Sequence, residues 1–142
     1  ENIMTDQNCA YCMEGDLVAA FGIKICELET SKVYLFKEQS HPGRCIVAHK
    51  KHVGDMNELT AEERAAYFED VARVARAIMA AFHPDKVNYG AYGDTGHHLH
   101  FHLCPKYKDE FEWGGVFLMN PDKKYLTDAE YAEMIEKIKA NM

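Results

Sequence analysis

A strict alternation of histidine with apolar residues constrains the fold of this chain more than any other feature of its sequence. Residues 98–103 read His-Leu-His-Phe-His-Leu. Because successive side chains of a β-strand point to opposite faces, the three histidines would share one face, about 6.6 Å apart. We therefore predict a strand over residues 98–104 whose apolar face packs on a helix and whose other face carries the imidazoles.

Three further segments have the composition of short strands. Residues 32–38 and 44–48 would form a hairpin around His41-Pro42-Gly43, because proline and glycine favour turns. Residues 87–92 would pair with the histidine strand across the Gly93-Asp94-Thr95-Gly96 turn. Strands that come in hairpins indicate an antiparallel sheet.

Two capping boxes predict where the helices begin. Thr60 and Glu63 open a helix over about 61–82, with an apolar stripe at steps of three and four, and Pro84 follows its end. Thr127 and Glu130 open a terminal helix in the same way. Few helices beside hairpin-connected strands predict the α+β class.

Composition limits the partners and the compartment. The chain has 142 residues, 47% of them hydrophobic, which predicts a single domain over residues 1–142. The sequence contains no apolar run of the ~18 residues that a membrane span needs. A net charge of -7 disfavours nucleic acid and anionic membranes as partners. Five cysteines, an odd count, without a recognisable signal peptide predict a reduced, cytoplasmic protein.

A row of histidines supports two kinds of chemistry. In the first, two histidines at spacing two bind one zinc ion and a third ligand comes from elsewhere, as in a zinc-dependent hydrolase. In the second, a neutral imidazole attacks phosphorus while its neighbours hold its tautomer and protonate the leaving group. The alternation alone leaves both open.

Three segments in order resemble the histidine triad (HIT) family. His98-Leu99-His100-Phe101-His102-Leu103-Cys104, followed by Pro105-Lys106-Tyr107, is similar to its signature. Cys9-Ala10-Tyr11-Cys12 and the segment 43–53 (GRCIVAHKKHV) resemble two further motifs of zinc-bearing bacterial members. The resemblance spans residues 9–113. It implies a HIT-like fold, with an antiparallel sheet of about five strands, one long helix and a C-terminal helix, and it implies a homodimer.

The resemblance also implies an activity. HIT enzymes hydrolyse or transfer at the α-phosphate of a nucleotide derivative, such as a nucleoside phosphoramidate or a dinucleoside polyphosphate, through a covalent nucleotidyl-histidine. His100 matches the nucleophile, within a catalytic row of His98, His100 and His102. His102 matches the residue that contacts the phosphate and assists proton transfer, and histidine rather than glutamine at this position favours hydrolysis. A nucleotide-binding module without turnover is an alternative, because a fold does not imply an activity.

A structural zinc site is the cofactor that the resemblance implies. Cys9 and Cys12 have the spacing of a metal knuckle. In zinc-bearing relatives the remaining ligands match His52 and His98, which would close a Cys₂His₂ site without an open position. His49 lies on the same segment as His52 and is the competing candidate.

The nucleotide would lie between the first hairpin and the loop before the histidine strand. Glycines in residues 93–96 allow backbone N–H groups to approach an anion closely. Two positions depart from the family pattern. Arg44 stands where many members have histidine, and Asp94 stands where glutamine is common. The residues that the resemblance places near phosphate, ribose or base are Asn88, Asp94, Thr95, Gly96, Phe36 and Lys37.

Overall fold

A computed structural model describes residues 8–13 and 15–142 and contains a five-stranded antiparallel sheet. The strands are β1 (Gly22–Glu27), β2 (Ser31–Phe36), β3 (Cys45–His49), β4 (Lys86–Gly90) and β5 (His100–Lys106). Their order in the sheet is β1-β2-β3-β5-β4, which places the histidine strand between β3 and β4. The predicted α+β class with an antiparallel sheet of about five strands is confirmed.

Four α-helices accompany the sheet in the described part of the chain: α1 (Ala10–Met13), α2 (Asp16–Ala19), α3 (Ala61–Phe82) and α4 (Asp128–Ala140). Both predicted capping boxes are present at the starts of α3 and α4. His83 ends α3 in the left-handed conformation, with φ of 51°. In the residues that the structure describes, no helix is long and apolar enough to cross a membrane.

The two faces of the sheet have different coverings. Leu99, Phe101 and Leu103 belong to a large core that includes residues of α3 and α4. This confirms that the apolar side of the histidine segment packs on a helix. The opposite face carries a smaller core, in which α1 and α2 contribute Tyr11 and Val18. Strand pairing aligns Ile46 with His102 and Ala48 with His100 on this second face.

Two predicted boundaries differ from the structure. The connection between β4 and β5 covers residues 91–99, so His98 and Leu99 precede the strand. His98 leaves the strand geometry because its ring is held by residues from the N-terminal segment and by the backbone of His49. The first hairpin also has a longer connection, residues 37–44, in which Gly43 has φ of 94°.

The segment between β5 and α4 is tied to the sheet by buried polar groups. Glu38 accepts hydrogen bonds from the backbone N–H groups of Lys123 and Lys124, at 2.8 and 2.9 Å. Lys106, which is 2% exposed, donates to two backbone carbonyls of the same segment. These contacts bring residues 116–120 onto the face of the sheet that carries His100 and His102.

Candidate active site

A cavity of about 970 Å³ opens over the imidazole face of β5. His98, His100 and His102 all line it, so the structure brings the predicted catalytic row together. The rings of His100 and His102 lie 5.4 Å apart. Other residues that the sequence had placed in the site also line the cavity: Phe36, Asp94, Thr95, Gly96, Cys9 and His52.

The hydrogen bonds of His100 define its tautomer. Its Nδ1 lies 2.6 Å from the backbone oxygen of His98. A carbonyl oxygen only accepts hydrogen bonds, so Nδ1 carries the proton and Nε2 keeps a free electron pair. Burial lowers the pKa of His100, which leaves the ring neutral at pH 7. A neutral imidazole with an unprotonated Nε2 in a cavity is equipped for nucleophilic attack.

His102 has the opposite tautomer. Arg44 approaches its Nδ1 with Nε at 3.3 Å and Nη2 at 3.0 Å. Because a guanidinium only donates, Nδ1 of His102 must accept, and the ring proton resides on Nε2. Burial, reinforced by the positive charge of Arg44 and by His100, lowers the pKa of His102 to about 2.

Four potential metal ligands converge beside the cavity. The ligand atoms of Cys9, Cys12, His52 and His98 all lie within 4.8 Å of one another. Nδ1 of His98 is 3.2 Å from Cys9 Sγ, 3.5 Å from Cys12 Sγ and 3.1 Å from His52 Nδ1. In a tetrahedral zinc site with these donors, neighbouring ligand atoms lie about 3.3–3.8 Å apart. The ligand atoms lie at or slightly below these separations, and the donor set of two thiols and two imidazoles suits a closed Cys₂His₂ zinc site.

The tautomer of His98 also suits a metal. Its Nε2 lies 2.6 Å from the backbone oxygen of His49 and must donate to it, so the electron pair of Nδ1 points into the cysteine–histidine cluster. Burial lowers the pKa of His98 to about 4, which keeps the ring in the neutral form that binds metals. His49 is no member of the cluster, since its Nδ1 accepts from the N–H of Lys51.

Two of the predicted nucleotide-binding residues lie away from the cavity lining. Asn88 is on β4, opposite Cys104, and is half-buried. Lys37 follows β2, and its backbone donates to Phe21 and accepts from Tyr131. Gly96, in contrast, is so close to the nucleophile candidate that a Cβ there would lie 3.8 Å from Cε1 of His100.

Several residues of the cavity were missed in the sequence. Tyr11 of α1 packs its ring 4.9 Å from that of His100, and Phe21 lines the same side. Residues 116–120 form another wall. The apolar run Val116-Phe117-Leu118-Met119 indicates a segment that packs against the rest of the protein. Nothing in the local sequence shows which face of the sheet this segment covers.

The charge distribution of the cavity is unusual for an anion site. Of the described residues that line it, none is lysine or arginine, and Asp94 is the one carboxylate. Arg44 lies behind His102 and is fully buried. A phosphate in this cavity would therefore be held by neutral donors.

The family model of the HIT domain matches residues 22–109, and the chain belongs to the HIT family. The chain is 30% identical over 123 residues to Protein hit of Bacillus subtilis, covering 82% of this chain and 83% of that protein. It is 27% identical over 116 residues to the adenosine 5'-monophosphoramidase hnt1 of Schizosaccharomyces pombe, covering 75% and 80%.

Solved structures show the same fold. A histidine triad protein from Sinorhizobium meliloti superposes with a TM-score of 0.83 at 21% identity, over 90% of this chain and 95% of that one. A zinc-bound histidine triad family protein from Mycobacterium smegmatis gives a TM-score of 0.66 at 22% identity, over 94% and 92%. The family and the HIT-like fold predicted from the three motifs are confirmed.

Proposed function

We propose that this protein hydrolyses nucleotide derivatives at the α-phosphate through a covalent nucleotidyl group on His100. The observation that carries the proposal is the hydrogen bond from Nδ1 of His100 to the backbone oxygen of His98, which leaves Nε2 unprotonated in the cavity. The similarity to an adenosine 5'-monophosphoramidase supports the same class of reaction.

The reaction would proceed in two displacements. The electron pair of His100 Nε2 forms a bond to phosphorus while the bond from phosphorus to the leaving group breaks and its electrons pass to that group. The ring becomes a cation at this stage, and the oxygen of His98 stabilises it because it accepts from Nδ1. Water then cleaves the nitrogen–phosphorus bond. Overall one water molecule supplies the proton of the leaving group and the new oxygen of the nucleotide.

The cavity favours substrates with one phosphate next to the leaving group. A chain of phosphates carries several negative charges, which ordinarily need lysine, arginine or a metal to bind. The described lining offers no such cation and has a carboxylate at Asp94. We therefore propose a nucleoside phosphoramidate, with its uncharged leaving amine, as the preferred substrate over a dinucleoside polyphosphate.

Neutral groups would hold the nucleotide. The backbone at Gly96 lies beside His100 and Thr95 lines the same cavity, and both would contact the phosphate oxygens. The ring of Phe36 lines the cavity and would pack against the nucleoside. A carboxylate beside a phosphate is unfavourable, so we assign Asp94 to the ribose hydroxyls. Asn88 and Lys37 have no direct contact in this arrangement.

Zinc bound by Cys9, Cys12, His52 and His98 would be structural. Because all four ligands come from the protein, the ion would have no open position for substrate. It would instead cross-link the segment of Cys9 and Cys12, the segment after β3 and the loop before β5. His98 has two roles in this arrangement. Its ring is a ligand, and its backbone oxygen orients His100.

A homodimer is the assembly that we propose. β4 is an edge of the sheet, and Tyr89 on this strand is 51% exposed. An edge strand offers unpaired backbone groups to a second copy. Sedimentation equilibrium should give twice the mass of 16.2 kDa, and a monomer at micromolar concentration would contradict this assembly.

The decisive experiment is ³¹P NMR of the protein with adenosine 5'-phosphoramidate and with diadenosine polyphosphates. The wild type should convert the phosphoramidate faster, and mass spectrometry of protein quenched without acid should locate an adenylyl group on His100. His100→Ala should lose nearly all turnover, at least ~10³-fold, while it still binds AMP. His83→Asn is a matched control, because His83 is exposed at the end of α3 and lies outside the cavity lining.

The same assay, repeated after addition of a chelator, separates the rival functions. A zinc-dependent hydrolase would lose activity at once on chelation and form no adduct, whereas a structural zinc predicts slow loss that follows unfolding. A protein that binds AMP but converts no substrate would be a binding module. Wild-type turnover by His100→Ala would refute the covalent mechanism.

A further inference from the structure

Arg44 is the largest fully buried side chain of the described residues, and its hydrogen-bond partners are neutral. Beside the two contacts to Nδ1 of His102, its Nη1 donates to the backbone oxygen of Leu118 at 3.0 Å. Its Nη2 donates to the backbone oxygen of Met119 at 2.9 Å, and the Met119 sulfur is 3.7 Å away. A buried charge is costly, so a contact set of this kind indicates a specific role.

The contact to His102 determines what that ring can do. Nδ1 accepts from Arg44, so Nε2 carries the only ring proton. If His102 gave up that proton it would become an anionic imidazolate. Arg44 cannot relieve this charge by proton transfer, because a guanidinium is not deprotonated in proteins. His102 can therefore donate a hydrogen bond but cannot deliver a proton.

We propose that Arg44 is a positioning residue that holds His102 as a neutral Nε2–H donor toward the substrate phosphate, so that His102 stabilises charge there without acting as the general acid. The catalytic consequence rests on the proposed function, whereas the tautomer is a property of the protein alone. The proton of the leaving amine then comes from water, whose hydroxide cleaves the nitrogen–phosphorus bond.

Among the described residues, the rings that pack around His102 carry no negative charge that would counter the charge of Arg44. From its own strand, His100 faces the ring. From β2 and from the segment after β5, the neighbours are the uncharged rings of Phe36 and Phe117, 5.4 and 6.4 Å away. The groups that act on Arg44 itself, and raise its pKa against the larger effect of burial, are Cys104, Glu38, Glu112 and Tyr92.

A lysine would not make this set of contacts. The guanidinium carbon lies 4.3 Å from the ring centre of Phe36 and 4.8 Å from that of Phe117. The same planar group donates in one direction to His102 and in another to the carbonyls of residues 118 and 119. Arg44 thus joins the third histidine to the wall of the cavity, and an ammonium group has neither the fork nor the planar stacking face.

The first test needs no substrate. In protein labelled with ¹⁵N in the histidine rings, and assigned with a His102→Asn variant, NMR should show protonated Nε2 and unprotonated Nδ1 for His102 at pH 7. The ring should remain neutral as the pH is lowered to the limit of folding. A protonated Nδ1 in the wild type would overturn the proposal without any variant of Arg44.

Variants of Arg44 provide the second test. Arg44→Met removes the donors and the charge, and we expect the pH at which His102 titrates to rise by at least about one unit. Arg44→Lys keeps a charged donor and should keep the tautomer even where it loosens residues 118–119. Arg76→Met is the matched control, because Arg76 is 66% exposed on α3. Equal titration of His102 in wild type and folded Arg44→Met would overturn the proposal.

Turnover measurements separate the role of Arg44 from the proposed function. With adenosine 5'-phosphoramidate, kcat of Arg44→Met should fall at low pH, over the pH range in which His102 titrates in this variant. Arg44→Lys should show the same pH dependence of kcat as the wild type. An inactive wild type with the expected His102 tautomer would refute the proposed function and leave the role of Arg44 intact. An active wild type with Nδ1 of His102 protonated would refute the role of Arg44 and leave the proposed function intact.

Discussion

Removal of the proposed metal should lower the stability of this protein by a large and measurable amount. The four ligand atoms of Cys9, Cys12, His52 and His98 lie within 4.8 Å of one another and come from three separate segments. These groups converge only in the folded chain. Binding therefore stabilises the native state, by about 4 kcal/mol when free zinc exceeds its dissociation constant a thousandfold.

This free energy converts to a melting temperature. An unfolding entropy of roughly 2.1 cal/mol/K per residue amounts to about 0.3 kcal/mol/K for a chain of 142 residues. Loss of about 4 kcal/mol then lowers Tm by about 14 °C. Differential scanning fluorimetry with and without a chelator measures this shift, and elemental analysis should find about one zinc per chain.

Cys12→Ser should lose both the zinc and the response to the chelator. The matched control is Cys26→Ser, since Cys26 is also half-buried but lies on β1 outside the cluster. This control should keep one zinc and the full shift. A wild type that contains no metal and melts at the same temperature with and without chelator would refute the reasoning.

Three other predictions concern the ligand, the pH and the core. AMP should raise Tm more than adenosine, because Gly96 lies beside His100 and Thr95 lines the same cavity, where a phosphate would bind; equal shifts would mean that the anion site is elsewhere. The pKa of His102 is about 2 in the folded protein and about 6.5 in the unfolded chain. Below pH 6.5 the unfolded chain binds a proton that the folded protein does not, so the free energy of unfolding falls by about 1.4 kcal/mol per pH unit, whereas above pH 6.5 His102 causes no loss. In urea titrations His102→Asn should show a shallower acid loss, and an unchanged slope would contradict this. Tyr67→Phe should cost about 1–3 kcal/mol in the same assay, because the buried oxygen of Val47 loses its donor at 2.7 Å, and an unchanged midpoint would contradict it.

Local signals predicted the two long helices and the hairpin pairs β2–β3 and β4–β5, but not the short helices α1 and α2 or the pairing of β3 with β5. The capping boxes at Thr60 and Thr127 mark the observed starts of α3 and α4, since a cap is formed by residues three positions apart. β1 was missed because its alternation is short and a bulge between Lys24 and Cys26 interrupts it. The family resemblance implied about five strands but did not show where β1 lies in the sequence.

The candidate site was predicted where a motif names its residues. The cysteine pair, His52 and the three histidines were all placed from three segments, and the structure brings them to one cavity and its adjacent cluster. The wall of residues 116–120 lies outside those segments. Its position depends on Glu38 and Lys106, whose contacts no local pattern reveals.

The sequence by itself determined the face of the histidines, the starts of the helices and the spacing of the cysteine knuckle, because side-chain alternation and capping act over a few residues. Tertiary structure decided the tautomers. His100 depends on a backbone oxygen two residues away, but His102 depends on Arg44, which is 58 residues distant. The pairing of Ile46 with His102 brings that arginine beside the ring, and such a contact exists only once the register of β3 against β5 is set.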